Sequence, residues 1–394
     1  TIRVAVHGFL DHRPRFGGAD ASDLCALMFG HYALRGYRGD GMADLLESLQ
    51  YKPPLWYVGV AALFAPAESL SYGPLLLTNA LALVVALWAA WKFAGHLGSA
   101  RTGLLAVTLL TCLPAVAGRV TILGIEPWHM ALLGVTLLLL LRLRDASTGS
   151  RQAVLLGGVA GAAMLMKWTF VAGLLGPVLL EAYAAITGGP AARSWRRRLL
   201  AATAVCGALF AAWFLPLARV DRLVSGAGSA PSHGALLSTD SLLVFPIWLR
   251  DGLSLAGCLL VGLALLGAAL GRGWQAPRPE HGCRPVMLLL ASGLGIVLVH
   301  WLVPHKEPRY LLSAAWSLVM MLAMGLDLLW QRGRLAAGLV SAGCLAVAAS
   351  SFVLPALDRQ PAHTTLDNLH LRLLPDPSDH DLDELVRHPS LQGP

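Results

Sequence analysis

The sequence predicts an all-α polytopic integral membrane protein, a bundle of about 11 apolar helices, and three observations carry that expectation. First, 56% of the 394 residues are hydrophobic and 13% are charged, roughly half the charged share of a soluble domain. Second, residues 69–91, 252–271, 285–304, 310–326 and 335–357 contain no Asp, Glu, Lys or Arg. Each such run matches the ~17–25 residues a membrane span needs, whereas a soluble core helix would carry a charged stripe. Third, basic residues gather in the short segments between apolar runs, as membrane topology demands. With a mean hydropathy of +0.62, these features exclude a soluble enzyme, a disordered chain and a disulfide scaffold.

A net charge of +7 does not indicate nucleic acid, because no basic stripe is interleaved with aromatic residues. Six scattered cysteines form no Cys-x-x-Cys pair, so neither a zinc site nor a disulfide framework is expected. Residues 1–10 read as the end of a preceding helix outside this numbering. Residues 1–53 then form a polar first loop with amphipathic stretches, 54–355 the helix bundle, and 356–394 a small extramembrane tail rich in Pro, Asp and His.

Within the bundle, apolar helices are expected at 54–67, 72–94, 101–117, 126–142, 152–166, 168–187, 199–219, 252–271, 285–303, 309–329 and 335–355. Lys167 separates two of them. One continuous helix over 152–187 would hold a cation at mid-membrane, whereas two helices meeting at Lys167 place it at the tip of a hairpin. That hairpin puts four arginine-bearing segments (142–151, 193–198, 272–284 and 332–334) on one side, which the positive-inside rule makes cytoplasmic. One short segment between 54 and 101 must then not cross.

Chemistry is expected where ionisable groups stand at the membrane edge. The chain has four lysines, Lys52, Lys92, Lys167 and Lys306, three of them in distinctive settings: YKPPL, LMKWTF and HKEPRY. His305, Lys306, Glu307 and Arg309 crowd between two apolar runs, where charge is costly. His, Lys and Arg there donate charge-assisted hydrogen bonds suited to a phosphate at headgroup depth; contact with lipid headgroups would explain them equally. Glu126, before Pro127, suits a helix start, where the dipole favours a carboxylate; it is either that or a site acid, with Arg119 a possible partner. Asp20 and Asp23 are either helix caps or general bases facing the membrane surface. Lys167-Trp168 is either a snorkelling lysine with an interfacial aromatic or a ligand of the same phosphate as His305 and Arg309. His300 reads as a helix-contact residue.

In order along the chain, KPPLWY, GRVTILGIEPWHMALL, LMKWTFVAGLLGPVLL and HKEPRYLL resemble bacterial relatives of the dolichyl-phosphate-mannose protein mannosyltransferases. They are also similar to the lipid A aminoarabinose transferases, another branch of the GT-C class of membrane glycosyltransferases. The resemblance runs from about residue 15 to 355. It implies a GT-C-like bundle with an extracytoplasmic first loop in a bacterial plasma membrane, a polyprenyl-phosphate sugar donor, and transfer to an acceptor hydroxyl at the extracytoplasmic face. The family's first-loop acid, often in an Asp-Glu pair, matches Asp20, followed here by Ala21; Asp23 therefore competes for the role. The second family acid matches Glu126, the KPP segment matches Lys52, and Lys167, His305, Lys306 and Arg309 match positions expected to face the donor phosphate.

The resemblance implies an inverting displacement in which Asp20 or Asp23 takes the acceptor proton and the cationic groups stabilise the leaving phosphate. No cofactor, metal or nucleic acid is called for, and the partners expected are the donor, the bilayer and an acceptor on a protein, lipid or glycan. The alternative is a secondary transporter or lipid flippase, which would place ionisable residues near mid-membrane between related halves.

Overall fold

The computed structural model describes residues 27, 30, 31, 34, 53–66, 72–97, 99–120, 124–144, 149–189, 192–214, 239–270, 284–302 and 311–352. All regular structure among them is helical. The helices are α1 (Leu55–Phe64), α2 (Tyr72–Leu97), α3 (Ala100–Cys112), α4 (Pro114–Val120), α5 (Glu126–Arg142), α6 (Ser150–Met166), a 3-10 turn (Trp168–Phe170), α7 (Val171–Thr187), α8 (Arg193–Phe214), α9 (Thr239–Leu270), α10 (Pro285–Leu302), α11 (Leu312–Trp330) and α12 (Arg334–Phe352). Among the described residues, five stretches are long and apolar enough to cross a membrane: 77–97, 168–187, 253–270, 285–302 and 312–330.

Local chemistry sets the helix limits. Pro53-Pro54 opens α1, whose first turn closes with the Val58 N–H on the Pro54 carbonyl at 2.9 Å. With 10 residues, α1 rises about 15 Å, half the ~30 Å hydrocarbon core. It is too short to span the core as a straight helix. Ser99 caps α3 by accepting from the backbone N–H groups of Arg101 and Thr102 at 3.1 and 3.5 Å, satisfying two donors the helix start leaves open. The sequence predicts one helix over 101–117; instead the chain breaks at Leu113, with ψ at 131°, because a residue before proline is driven out of the helical region. α3 and α4 together still rise about 30 Å. α9 also begins before the expected 252 and bends at Ser254, with φ 63° and ψ 170°. Ser254 Oγ accepts the Gly257 N–H at 3.4 Å and lies 3.0 Å from Ser350 Oγ on α12. The hydroxyl thus caps the lower half of α9 and ties the bend to α12.

Glycine contacts reveal the helix directions. Gly157 packs on Ala202 and Val205, and Gly161 on Cys206 and Leu209, so α6 and α8 run parallel. α7 must therefore return between them, and the chain reverses at Lys167 as the sequence predicts. α7 runs antiparallel to α10, with Gly173 against Ile296 and Gly176 against Ala291. α7 turns Leu175, Leu179, Tyr183 and Ile186 outward, a stripe at helical spacing suited to lipid.

α11 is the centre of the bundle: 83% of it is buried, against 28% of the apolar stretch of α9. Its Trp316 is fully buried, donates Nε1–H to the Ala86 carbonyl at 3.2 Å and meets Phe93 edge-on at 5.5 Å. Gly134 of α5 lies flat on the same indole, where an added Cβ would fall 2.6 Å from Trp316 Cε2. One aromatic thus joins α2, α5 and α11.

The described arginines between helices, among them Arg142, Arg144, Arg151, Arg193, Arg196 and Arg334, fall at one end of the bundle. That end is stitched by buried and half-buried polar contacts. Asp327 accepts from Thr102 Oγ1 at 2.9 Å and Arg101 Nη1 at 3.4 Å. Arg196 donates to the Ala185 carbonyl at 2.9 and 3.2 Å.

Replacing Gly134 by valine is expected to cost about 1–3 kcal/mol through overpacking, although any side chain improves helix propensity over glycine by up to ~1 kcal/mol. Gly158→Ala, at a site with nothing within 4 Å, is expected to be neutral or slightly stabilising. Unfolding midpoints of the two variants in detergent check both signs.

Candidate functional site

At the end opposite the arginines, the chain closes on a small group of ionisable residues. Glu126 opens α5, with Pro127 in the first turn, so its carboxylate lies where the helix dipole favours negative charge. Lys167 stands in extended backbone (φ −153°, ψ 116°) between α6 and the 3-10 turn. Its own N–H caps α6 on the Ala163 carbonyl at 3.0 Å, and its carbonyl accepts the Phe170 N–H at 3.0 Å. Held from both sides, Lys167 directs Nζ to Glu126 Oε1 at 2.9 Å. The two side chains are 15% and 5% exposed. The pair is electrically neutral as a unit, and an ammonium carries three donors, of which this contact uses one.

Two histidines accompany the pair. His129, three residues after Glu126, lies on the same face of α5. It is buried, and its ring rests on Phe170 at 4.9 Å with a 50° tilt. Phe170 belongs to the turn directly after Lys167, so this contact packs the lysine-bearing reversal onto the glutamate-bearing helix. His129 Nε2 has no hydrogen-bond partner among the described residues. His129 lies within electrostatic reach of Lys167, His300 and Glu126. His300 of α10 places Nδ1 2.7 Å from the Ile296 carbonyl. A carbonyl only accepts, so this contact assigns the proton to Nδ1. This bond lies within α10 itself.

The structure therefore brings together Glu126 and Lys167, 41 residues apart in sequence. The partner found for Glu126 is this lysine; Arg119, the candidate read from sequence, has its side chain outside the described residues. Asp20, Asp23, Lys52, His305, Lys306 and Arg309 also lie outside the described residues. Sequence reasoning passed over His129 and Phe170. The first had a usable signal, its i+3 spacing from Glu126; the second had none beyond adjacency to Lys167. Among the described residues, no group of three or more His, Cys, Asp or Glu side chains is placed to hold a metal ion.

Comparison with known proteins places this geometry in a wider frame. Residues 52–216 match the sequence model of the dolichyl-phosphate-mannose-protein mannosyltransferases. That segment includes Lys52, Glu126 and Lys167. Two solved structures of ArnT from Cupriavidus metallidurans are similar over 93% of this chain. The apo form has a TM-score of 0.62 at 16% identity, and the form bound to undecaprenyl phosphate 0.61 at 15%. The chain spans 65% and 66% of their lengths, just under two thirds. The apo oligosaccharyltransferase of Archaeoglobus fulgidus is similar over 89% of this chain and 54% of its own, with a TM-score of 0.52 at 12% identity. No curated protein sequence matches. The chain thus shares the fold of GT-C class membrane glycosyltransferases and resembles the mannosyltransferase family in sequence over residues 52–216.

The ion pair itself is open to test. A double-mutant cycle with Glu126→Gln and Lys167→Met is expected to return a coupling of about 0.5–3 kcal/mol, the range for groups in direct contact. The lysine change is the more damaging, because it leaves the more deeply buried charge alone. Unfolding of the four proteins in mixed detergent measures this, and additive effects would rule the contact out.

Proposed function

We propose that this chain is a membrane glycosyltransferase that moves a sugar from a polyprenyl-phosphate-linked donor to an acceptor hydroxyl. The observation that carries the reading is the Glu126–Lys167 contact, which holds a cation at the end of the bundle on a helix break. That position, on this fold and in a segment matching the mannosyltransferase family, suits a lipid-linked phosphate better than a midplane transport site. The undecaprenyl phosphate in ArnT is a further support for the donor class.

In this scheme the donor phosphate lies at Lys167. Lys52, His305, Lys306 and Arg309 add positive charge from the first loop and from the segment joining α10 to α11. Asp20, with Asp23 as its competitor, accepts the acceptor's hydroxyl proton. The freed oxygen attacks the anomeric carbon as the bond from that carbon to the phosphate oxygen breaks, with inversion. The polyprenyl phosphate departs with one more negative charge than it carried in the donor. Lys167 and its neighbours stabilise that growing charge, the kind of fixed electrostatic aid that is worth most in a site poor in water. Glu126 serves by aiming Lys167: a carboxylate 5% exposed and bonded to an ammonium is poorly placed to meet an incoming hydroxyl. The arginine-rich end faces the cytoplasm under the positive-inside rule, which puts Lys167 at the extracytoplasmic face. No metal or other cofactor enters the scheme.

Purified protein supplied with a radiolabelled polyprenyl-phosphate sugar and membrane extract as acceptor is expected to transfer label. Asp20→Asn should lower kcat by about 10²–10⁴-fold, the usual worth of a general base, and Lys167→Met should raise KM for the donor. Sugar flux across vesicles without transfer would favour the transporter reading instead.

A further inference from the structure

A second buried ion pair lies far from Lys167. Arg144, two residues beyond α5, donates Nε–H to Glu181 Oε2 at 3.2 Å and Nη2–H to Glu181 Oε1. The side chains are 7% and 0% exposed, so neither is a surface charge. Replacing such a pair by apolar residues is often neutral or stabilising, so stability alone does not account for it. What a two-pronged guanidinium–carboxylate contact does supply is geometry, since it fixes distance and direction together.

The helices it joins share little other surface. α5 packs on α2, α6 and α11, whereas α7 packs on α10. α5 meets the reversal at His129 and Phe170 and meets α7 again at Leu133 and Gly173, both near Lys167. Toward the arginine end the Arg144 side chain bridges to Glu181. The seam that α7 makes with α10 is built from small residues, with Gly176 on the Ala291 backbone and Gly295 on Ala172. Such a seam brings backbones close but presents few knobs against sliding. An axial slip of one residue is about 1.5 Å. Taken along the line of the 2.9 Å contact between Lys167 Nζ and Glu126, it would stretch that contact to ~4.4 Å, beyond hydrogen-bonding range.

We propose that Arg144 and Glu181 are positioning residues that act through Lys167: their forked contact sets the height of α7 against α5 and so keeps the Lys167 ammonium opposite Glu126. The role in transfer rests on the function proposed above, but the coupling is read without substrate. Protein in nanodiscs is treated with a water-soluble amine-acylating reagent, and mass spectrometry follows the ratio of modified to unmodified Lys167.

Glu126→Gln, which frees Lys167 directly, is expected to raise that ratio by about tenfold, the equivalent of 1.4 kcal/mol. Arg144→Gln and Glu181→Gln are expected to raise it comparably. Arg144→Met/Glu181→Leu, which removes both charges of the pair together, should keep the melting temperature while still raising the ratio; a purely structural pair would not produce that combination. If Glu126→Gln raises the ratio but the double variant leaves it at the wild-type level, the positioning role is overturned and the site reading stands. If Glu126→Gln has no effect, the Glu126–Lys167 contact itself falls, and both readings fall with it.

Discussion

A lysine ammonium in hydrocarbon is costly, and the arrangement around Lys167 follows from that constraint. The apolar run from Ser150 to Thr187 would be one long helix without it. With it, α6 stops, the backbone turns extended for one residue, and a 3-10 turn launches α7 in the opposite direction. The break delivers the ammonium to the end of the bundle, where Glu126 waits at the start of α5. Each charge makes the other tolerable, and each occupies a helix terminus. The reversal also makes α6 and α8 parallel, and their glycine seam is the direct consequence.

Within the bundle, close approach replaces the amphipathic patterning of soluble proteins. Lipid and core are equally apolar, so side-chain hydrophobicity cannot tell a helix which face to bury; small residues can, because they let backbones touch. Gly157, Gly161, Gly176, Gly295 and Gly325 mark the buried faces of their helices, while many large aliphatic residues of α7, α9 and α12, such as Leu179, Leu265 and Leu345, turn outward. Trp316 is the exception that organises the centre. It fills the space that Gly134 leaves open and is anchored by Phe93 and the Ala86 carbonyl.

The two ends of the bundle use charge differently. At the arginine end, guanidinium groups satisfy carbonyls and carboxylates that helix termini and buried acids leave exposed, as Arg196 does for Ala185 and as Arg101 and Thr102 do for Asp327. At the Lys167 end a compact set of ionisable side chains, flanked by His129 and His300, lies largely buried, with Lys167 the most exposed of them. α7 and the turn before it run from one set to the other, with Glu181 toward the arginine end and Lys167 at the opposite end.

Much of this was written in the sequence itself. Uncharged apolar runs of spanning length, proline before Leu55 and after Glu126, and a lone lysine between two such runs sufficed for most of the helices, the reversal and the end of the bundle at which Glu126 and Lys167 lie, because hydrophobic length and the cost of buried charge act locally along the chain. The break at Leu113 was legible too, in Pro114, although the apolar run continues past it. What tertiary structure alone decided is which distant groups touch. Nothing near Glu126 names Lys167 as its partner, nothing near Arg144 names Glu181, and Trp316 carries no mark of Gly134. Those contacts depend on how helices dock, and in an apolar bundle docking is decided by the fit of small surfaces whose pairing leaves no period in the sequence.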